Sequence, residues 1–101
     1  MSLKNPESIE TKLARAVVTG ALGAGYWITV HDEEGPTATQ ECTDQDQIFE
    51  ELAETDFNEI QLGGMSGHKF ITFIWGLGDE VVSDHSVGLE DELAIWTAGV
   101  Y

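Results

Sequence analysis

Asp84-His85-Ser86 places a carboxylate, an imidazole and a hydroxyl side by side. Those are the side chains of a hydrolytic triad, which works only when all three converge on one reacting atom. Adjacent residues of an extended chain point to opposite faces, so a strand here separates His85 from its two neighbours. The sequence also lacks the Gly-x-Ser-x-Gly turn that exposes a nucleophile. His31, His68 and His85 are the three imidazoles of the chain. With nearby carboxylates they have the atoms of a metal site. Neither a His-Glu-x-x-His helix nor a paired-cysteine spacing accompanies them. A position at the end of a strand suits a solvent-facing histidine equally well.

Three further stretches have the residue types of a site without its spacing. Asp44-Gln45-Asp46 opens like a calcium loop, but Phe49 stands where the sixth-position glycine is needed and Thr55 where the bidentate glutamate belongs. The same residues make a good helix cap, with Gln47 three positions after Asp44. Gly20, Gly23 and Gly25 follow a helical pattern, whereas a dinucleotide fingerprint follows a strand and opens a helix. Cys42 is the only cysteine, so no internal disulfide forms, and no cation adjoins it in sequence to lower its pKa. No catalytic residue, metal site or cofactor is expected.

The charge is what sets this chain apart. Nineteen acidic residues face four basic ones, for a net charge of -15. Lys4, Lys12 and Arg15 precede residue 16, and Lys69 is the only cation after it. The carboxylates form clusters: Asp32-Glu33-Glu34; Glu50, Glu51 and Glu54; and Asp79-Glu80 with Glu90-Asp91-Glu92. A field of this sign repels phosphate backbones and anionic membranes, so direct nucleic-acid or membrane binding is disfavoured. It attracts a basic protein. Arranged together, the clusters would imitate a phosphate array and dock a partner's Lys and Arg by charge-assisted hydrogen bonds. Solubility or a salt-rich habitat would produce the same composition with no partner at all.

The elements that must carry these residues are legible from periodicity. Asn5-Pro6-Glu7 predicts a helix start, with Asn5 as cap and Pro6 in the first turn. Ile9, Leu13, Ala16 and Val17 give that helix an apolar face, and Gly23 or Gly25 ends it. Tyr26–His31 reads as a strand whose one face carries Tyr26, Ile28 and Val30. After the turn Asp32–Pro36, residues 37–43 predict a polar edge strand. A second helix runs from Asp44 to about Glu54, with Ile48, Phe49, Leu52 and Ala53 inward. A break at 55–58 precedes a short strand over 59–62. Phe70–Trp75 has no charge and predicts a strand buried on both faces. Gly76–Asp79 turns it into a second hairpin strand from Val81, and this hairpin is expected at the centre of the fold. Leu89, Leu93 and Trp96 then predict a short final helix, with 97–101 as a loose tail.

The expected fold is therefore α+β: one domain over 1–101, a mostly antiparallel sheet of about five strands, two helices packed on one face, and a short C-terminal helix. Residues 1–4 and 97–101 are expected to be loose. No targeting segment is seen, and the apolar run 13–30 is interrupted by Arg15 and three glycines, so no membrane span and a cytoplasmic location are expected.

The order ALGAGYWITVHDEE, ECTDQDQIFEEL, ITFIWGLGDEVVSDHS resembles a group of small proteins encoded by tailed phages and prophages. There, an Ala/Gly-ended helix leads into a short strand and an acidic turn. A later hydrophobic strand ends in a glycine turn, followed by a segment like Val81–Ser86. The resemblance covers residues 20–87. Trp75-Gly76-Leu77-Gly78 replaces the group's usual turn, and no Trp follows Glu34. The resemblance implies a phage or prophage origin, a location in the host cytoplasm, and no catalytic residues. The chain is thus expected to be a non-enzymatic accessory protein that binds a basic or nucleic-acid-handling protein through its acidic clusters. The alternative is a structural module that pairs into a homodimer through the edge strand at 37–43.

Overall fold

The structure, a computed structural model, describes residues 8–53, 57–64, 68–75 and 80–100. It is an α+β fold. Three helices, α1 (Ile9–Gly23), α2 (Gln45–Leu52) and α3 (Glu90–Thr97), accompany five strands: β1 (Trp27–Asp32), β2 (Gly35–Pro36), β3 (Phe57–Gly63), β4 (Lys69–Ile74) and β5 (Val82–His85). The sheet is antiparallel throughout, in the order β2-β1-β3-β4-β5.

The α1 cap is Ser8, three residues after the expected Asn5. Ser8 is extended, and its Oγ accepts the Thr11 N–H at 3.2 Å. Asn5, Pro6 and Glu7 lie outside the described residues. The C-terminal end follows the glycine argument. Gly25 has φ +96°, and its N–H bonds the Leu22 carbonyl while the Tyr26 N–H reaches back to Ala21. This paired closure satisfies carbonyls the helix leaves open, and its positive φ suits glycine. Because Tyr26 completes it, β1 begins at Trp27.

Alternation sorts the sheet into two faces. Ile28, Val30, Ile60, Leu62, Ile71 and Phe73 are buried on one, in a single cluster with Leu13, Val17 and Val18 of α1, Ile48 and Leu52 of α2, and Leu89 and Leu93 at α3. The helices cover that face. Trp27, Phe70, Thr72 and Ile74 on the other face are half-buried, which corrects the expectation of a strand buried on both sides. The hairpin β4–β5 forms as expected, but it is not the centre. That place belongs to β3, which is seven residues long rather than four and pairs with both β1 and β4. The sheet ends at β5.

The edge beyond β1 departs most from the periodic reading. Only Gly35–Pro36 forms a strand, and Cys42 bridges Ile28 alone. Between them the chain stays beside β1 through backbone bonds at Val30, whose carbonyl accepts the Thr37 N–H and whose N–H donates to the Thr39 carbonyl, and side chains take up groups these bonds leave open. The Thr39 N–H donates to Thr37 Oγ1, the Glu41 N–H to Thr29 Oγ1, and Gln40 Nε2 to the Thr37 carbonyl. Hydroxyls and amides compete with a regular ladder in this way, and six of the seven residues 37–43 carry a polar or sulfur-containing side chain able to do so.

The second helix has the expected cap: Asp44 Oδ1 accepts the N–H groups of Asp46 (3.0 Å) and Gln47 (3.4 Å). It ends at Leu52, earlier than Glu54. The predicted loose tail is instead turned and docked up to Val100, whose N–H bonds the Thr97 carbonyl at 3.0 Å and whose side chain packs on the core.

Candidate functional site: the acidic end of the sheet

Antiparallel pairing brings the C-terminal end of β1, the start of β3, the end of β4 and the start of β5 to one end of the sheet. Asp32-Glu33-Glu34 follows β1 there, and Glu80 precedes β5 there. The β1–β2 turn presents its carboxylates by its own bonding. Asp32 Oδ1 accepts the Glu34 N–H at 2.8 Å, and Gly35 (φ +116°) lets the chain rejoin the ladder. Glu33, Glu34 and Glu80 are exposed. The end of α2 is followed in sequence by the start of β3, so this helix runs toward the same end, with Glu50 exposed on it. Of the described cations, Lys69 is at the opposite end of the sheet, where β4 begins, and Lys12 and Arg15 are on α1, with the Arg15 guanidinium over the Phe49 ring of α2.

Other predicted acidic residues are held in place for structure. Thr39 Oγ1 donates to Glu51 at 3.2 Å. Glu90-Asp91-Glu92 opens α3 at the far end of the sheet, after β5, and so is not part of the same surface. There Glu92 accepts a bond from the Tyr26 hydroxyl at 3.4 Å. Glu90 accepts the Gly88 N–H at 2.7 Å. Its carboxyl is held below the ordinary value by hydrogen bonds from its own backbone N–H and that of Gly88, with the charge of His85 adding to the effect. Glu54 and Asp79 lie outside the described residues.

The remaining sequence candidates are separated. Asp84 pairs with Thr72 and His85 with Ile71, so the two side chains emerge on opposite faces. Asp84 Oδ1 accepts the His85 backbone N–H at 2.9 Å, and His85 Nδ1 lies 2.9 Å from the Ser86 carbonyl. Ser86 Oγ accepts the Phe70 N–H. All three residues therefore finish the edge of β5 and do not aim at a common point. His31 is in β1, whereas His68 meets the Trp27 ring edge-on at 5.8 Å. Among the described residues no three His, Cys, Asp or Glu side chains gather as a metal site. Cys42 Sγ accepts the Asp44 N–H at 3.3 Å, so the thiol helps lead the chain into α2.

Sequence reasoning missed two features. Asn58 is fully buried on the helix-facing side of β3, with its Nδ2 unpartnered. Its position in the break predicted at 55–58 concealed that it belongs to the core-facing row 58, 60, 62. The other is a cleft between α1 and α3. Its signal was the stripe Lys12, Arg15, Ala16 and Thr19, one side of a helix at i, i+3, i+4 and i+7.

The fold defines a small α+β protein with helices on one face of an antiparallel sheet and with Asp32, Glu33, Glu34 and Glu80 at one end of that sheet. No protein family, curated protein or solved structure matches the chain. No helix among the described residues is long and apolar enough to cross a membrane.

Proposed function

We propose that this protein is a non-catalytic accessory protein, of the phage-encoded kind it resembles, that binds a basic protein through the acidic end of its sheet. One observation carries the reading: carboxylates far apart in sequence, Asp32-Glu33-Glu34 and Glu80, are brought to the same end of the sheet, while Lys69 stands at the other. Exposed carboxylates in that arrangement offer hydrogen-bond acceptors to Lys and Arg, the side chains a nucleic-acid-handling protein uses for phosphates. The partner is therefore a protein whose basic surface ordinarily meets nucleic acid, and nucleic acid competes for it. The alternative of homodimer pairing through 37–43 has less to support it, because side chains already occupy several backbone groups of that segment.

The test is capture of partners from bacterial lysate on immobilised protein at low and high salt, beside the triple variant Glu33→Gln, Glu34→Gln, Glu80→Gln. The expected result is a basic protein released by high salt and by added DNA. The variant should bind it about tenfold more weakly, from roughly 0.5 kcal/mol for each exposed charge. Capture that is indifferent to salt, or equal for the variant, would remove the acidic end from the account.

A further inference from the structure

An open cleft of about 530 Å³ lies between α1 and α3, within the size range of small-molecule sites. Ala16, Gly20, Trp96 and Val100 supply its apolar lining, and Lys12 and Arg15 its charge. We propose that this cleft binds a small organic anion with a flat apolar body, of the aromatic monocarboxylate class.

The apolar wall is fixed by packing. A Cβ at Gly20 would come within 2.2 Å of the Trp96 ring, so the indole is seated against bare helix backbone. Tyr26 holds it from another side, edge-on at 6.4 Å. A half-buried indole anchored in this way presents a rigid surface for a planar ligand.

The charges point to an anion. Lys12 and Arg15 are two of only four basic residues in a chain of net charge -15, and they share this one cleft. Both are exposed. Carboxylates outnumber cations so heavily that two cations beside one apolar wall are notable. The Arg15 guanidinium lies over the Phe49 ring, 4.9 Å from its centroid, which orients the group. An oriented guanidinium fork matches a carboxylate, and Lys12 supplies a second, more mobile donor.

Ligand charge decides between classes. Repulsion from the protein's net charge grows with each negative charge a ligand carries, whereas two cations line the cleft among the described residues. At physiological salt a ligand senses mainly charges within about 8 Å, so Lys12 and Arg15, which line the cleft, weigh more than the distant carboxylates. A nucleotide or other polyanion brings more charge than these two groups neutralise.

The experiment is an NMR titration of the full chain with naphthoate, beside naphthalene methanol as the neutral analogue. Binding is read at the Trp96 indole N–H and the backbone amides of α1. Naphthoate should give saturable shifts at those signals and bind at least about fivefold more tightly than the alcohol. Lys12→Gln and Arg15→Gln should each weaken it by about three- to tenfold, with the thermal midpoint checked in parallel. Ala16→Glu should abolish it. Three results would overturn the proposal: equal affinity for the alcohol, undiminished binding by folded Lys12→Gln protein, or shifts that gather at Trp27 or Trp75 instead.

Discussion

Replacing Asn58 by leucine should make this protein more stable. Asn58 is wholly buried beneath the helices. Its Oδ1 accepts the Trp75 Nε1–H at 3.3 Å, a long bond, and its Nδ2 has no partner. An unsatisfied buried donor costs about 1–3 kcal/mol, whereas the one bond made returns about 0.5–1.5 kcal/mol. Leucine has similar volume, removes the orphaned donor, and adds apolar surface to the wall shared with Phe73, its partner across the ladder. Against this stand the lost Trp75 bond and an imperfect fit, at under about 1.5 kcal/mol for a near-isosteric swap. The balance favours the variant by about 1 kcal/mol, or a rise of about 4–8 °C in thermal midpoint for a domain of this size. Thermal and urea unfolding followed by circular dichroism measure it. Asn58→Asp is the control and should lose several kcal/mol, because it buries a charge without a cation. A lower midpoint for Asn58→Leu would show that the amide is satisfied in solution, and the reasoning would fail.

Gly63→Ala should destabilise the fold by about 1–3 kcal/mol, because the new Cβ would lie 2.1 Å from the Trp27 ring. Urea unfolding measures this, and a red-shifted Trp emission should accompany it; an unchanged midpoint would mean the indole moves aside freely. Glu90→Gln tests the turn before α3. The folded-state pKa of Glu90 is lowered from 4.5, so its contribution is present above that value and lost as pH falls through the folded pKa. The wild type should therefore exceed the variant in urea midpoint at neutral pH, with the gap closing in acid. A gap that persists unchanged in acid contradicts the assignment. The acidic-end and cleft variants described above complete the set.

Apolar periodicity was enough to read the α+β class, the helix-facing row Ile28 and Val30, the cap at Asp44 and the stop at Gly25, since each depends on residues within a few positions of one another. The same reading failed where polar side chains substitute for backbone partners. Residues 37–43 have the composition of an edge strand and the position of one, and bond β1 at Val30 and Ile28, yet hydroxyls take the Thr39 and Glu41 N–H groups between and the ladder is not regular. It also failed at the centre of the sheet. Phe70–Trp75 is the most apolar stretch and looked central, but strand order depends on which ladders close over long sequence separations. Those gave β3 two neighbours, with β5 beyond β4 at the edge.

What the sequence determined alone was the sign and size of the charge and the faces of each element, because composition and period are local properties. Which carboxylates share an end of the sheet was decided only by the tertiary fold. Antiparallel pairing reverses direction at every strand, so Glu80 falls at the same end of the sheet as Asp32–Glu34, toward the other edge, while Glu90–Glu92 is sent to the opposite end. The close approach of Trp96 to Gly20 arose in the same way, from the packing of a C-terminal helix against one 70 residues earlier in the chain, roughly, and no local pattern records it.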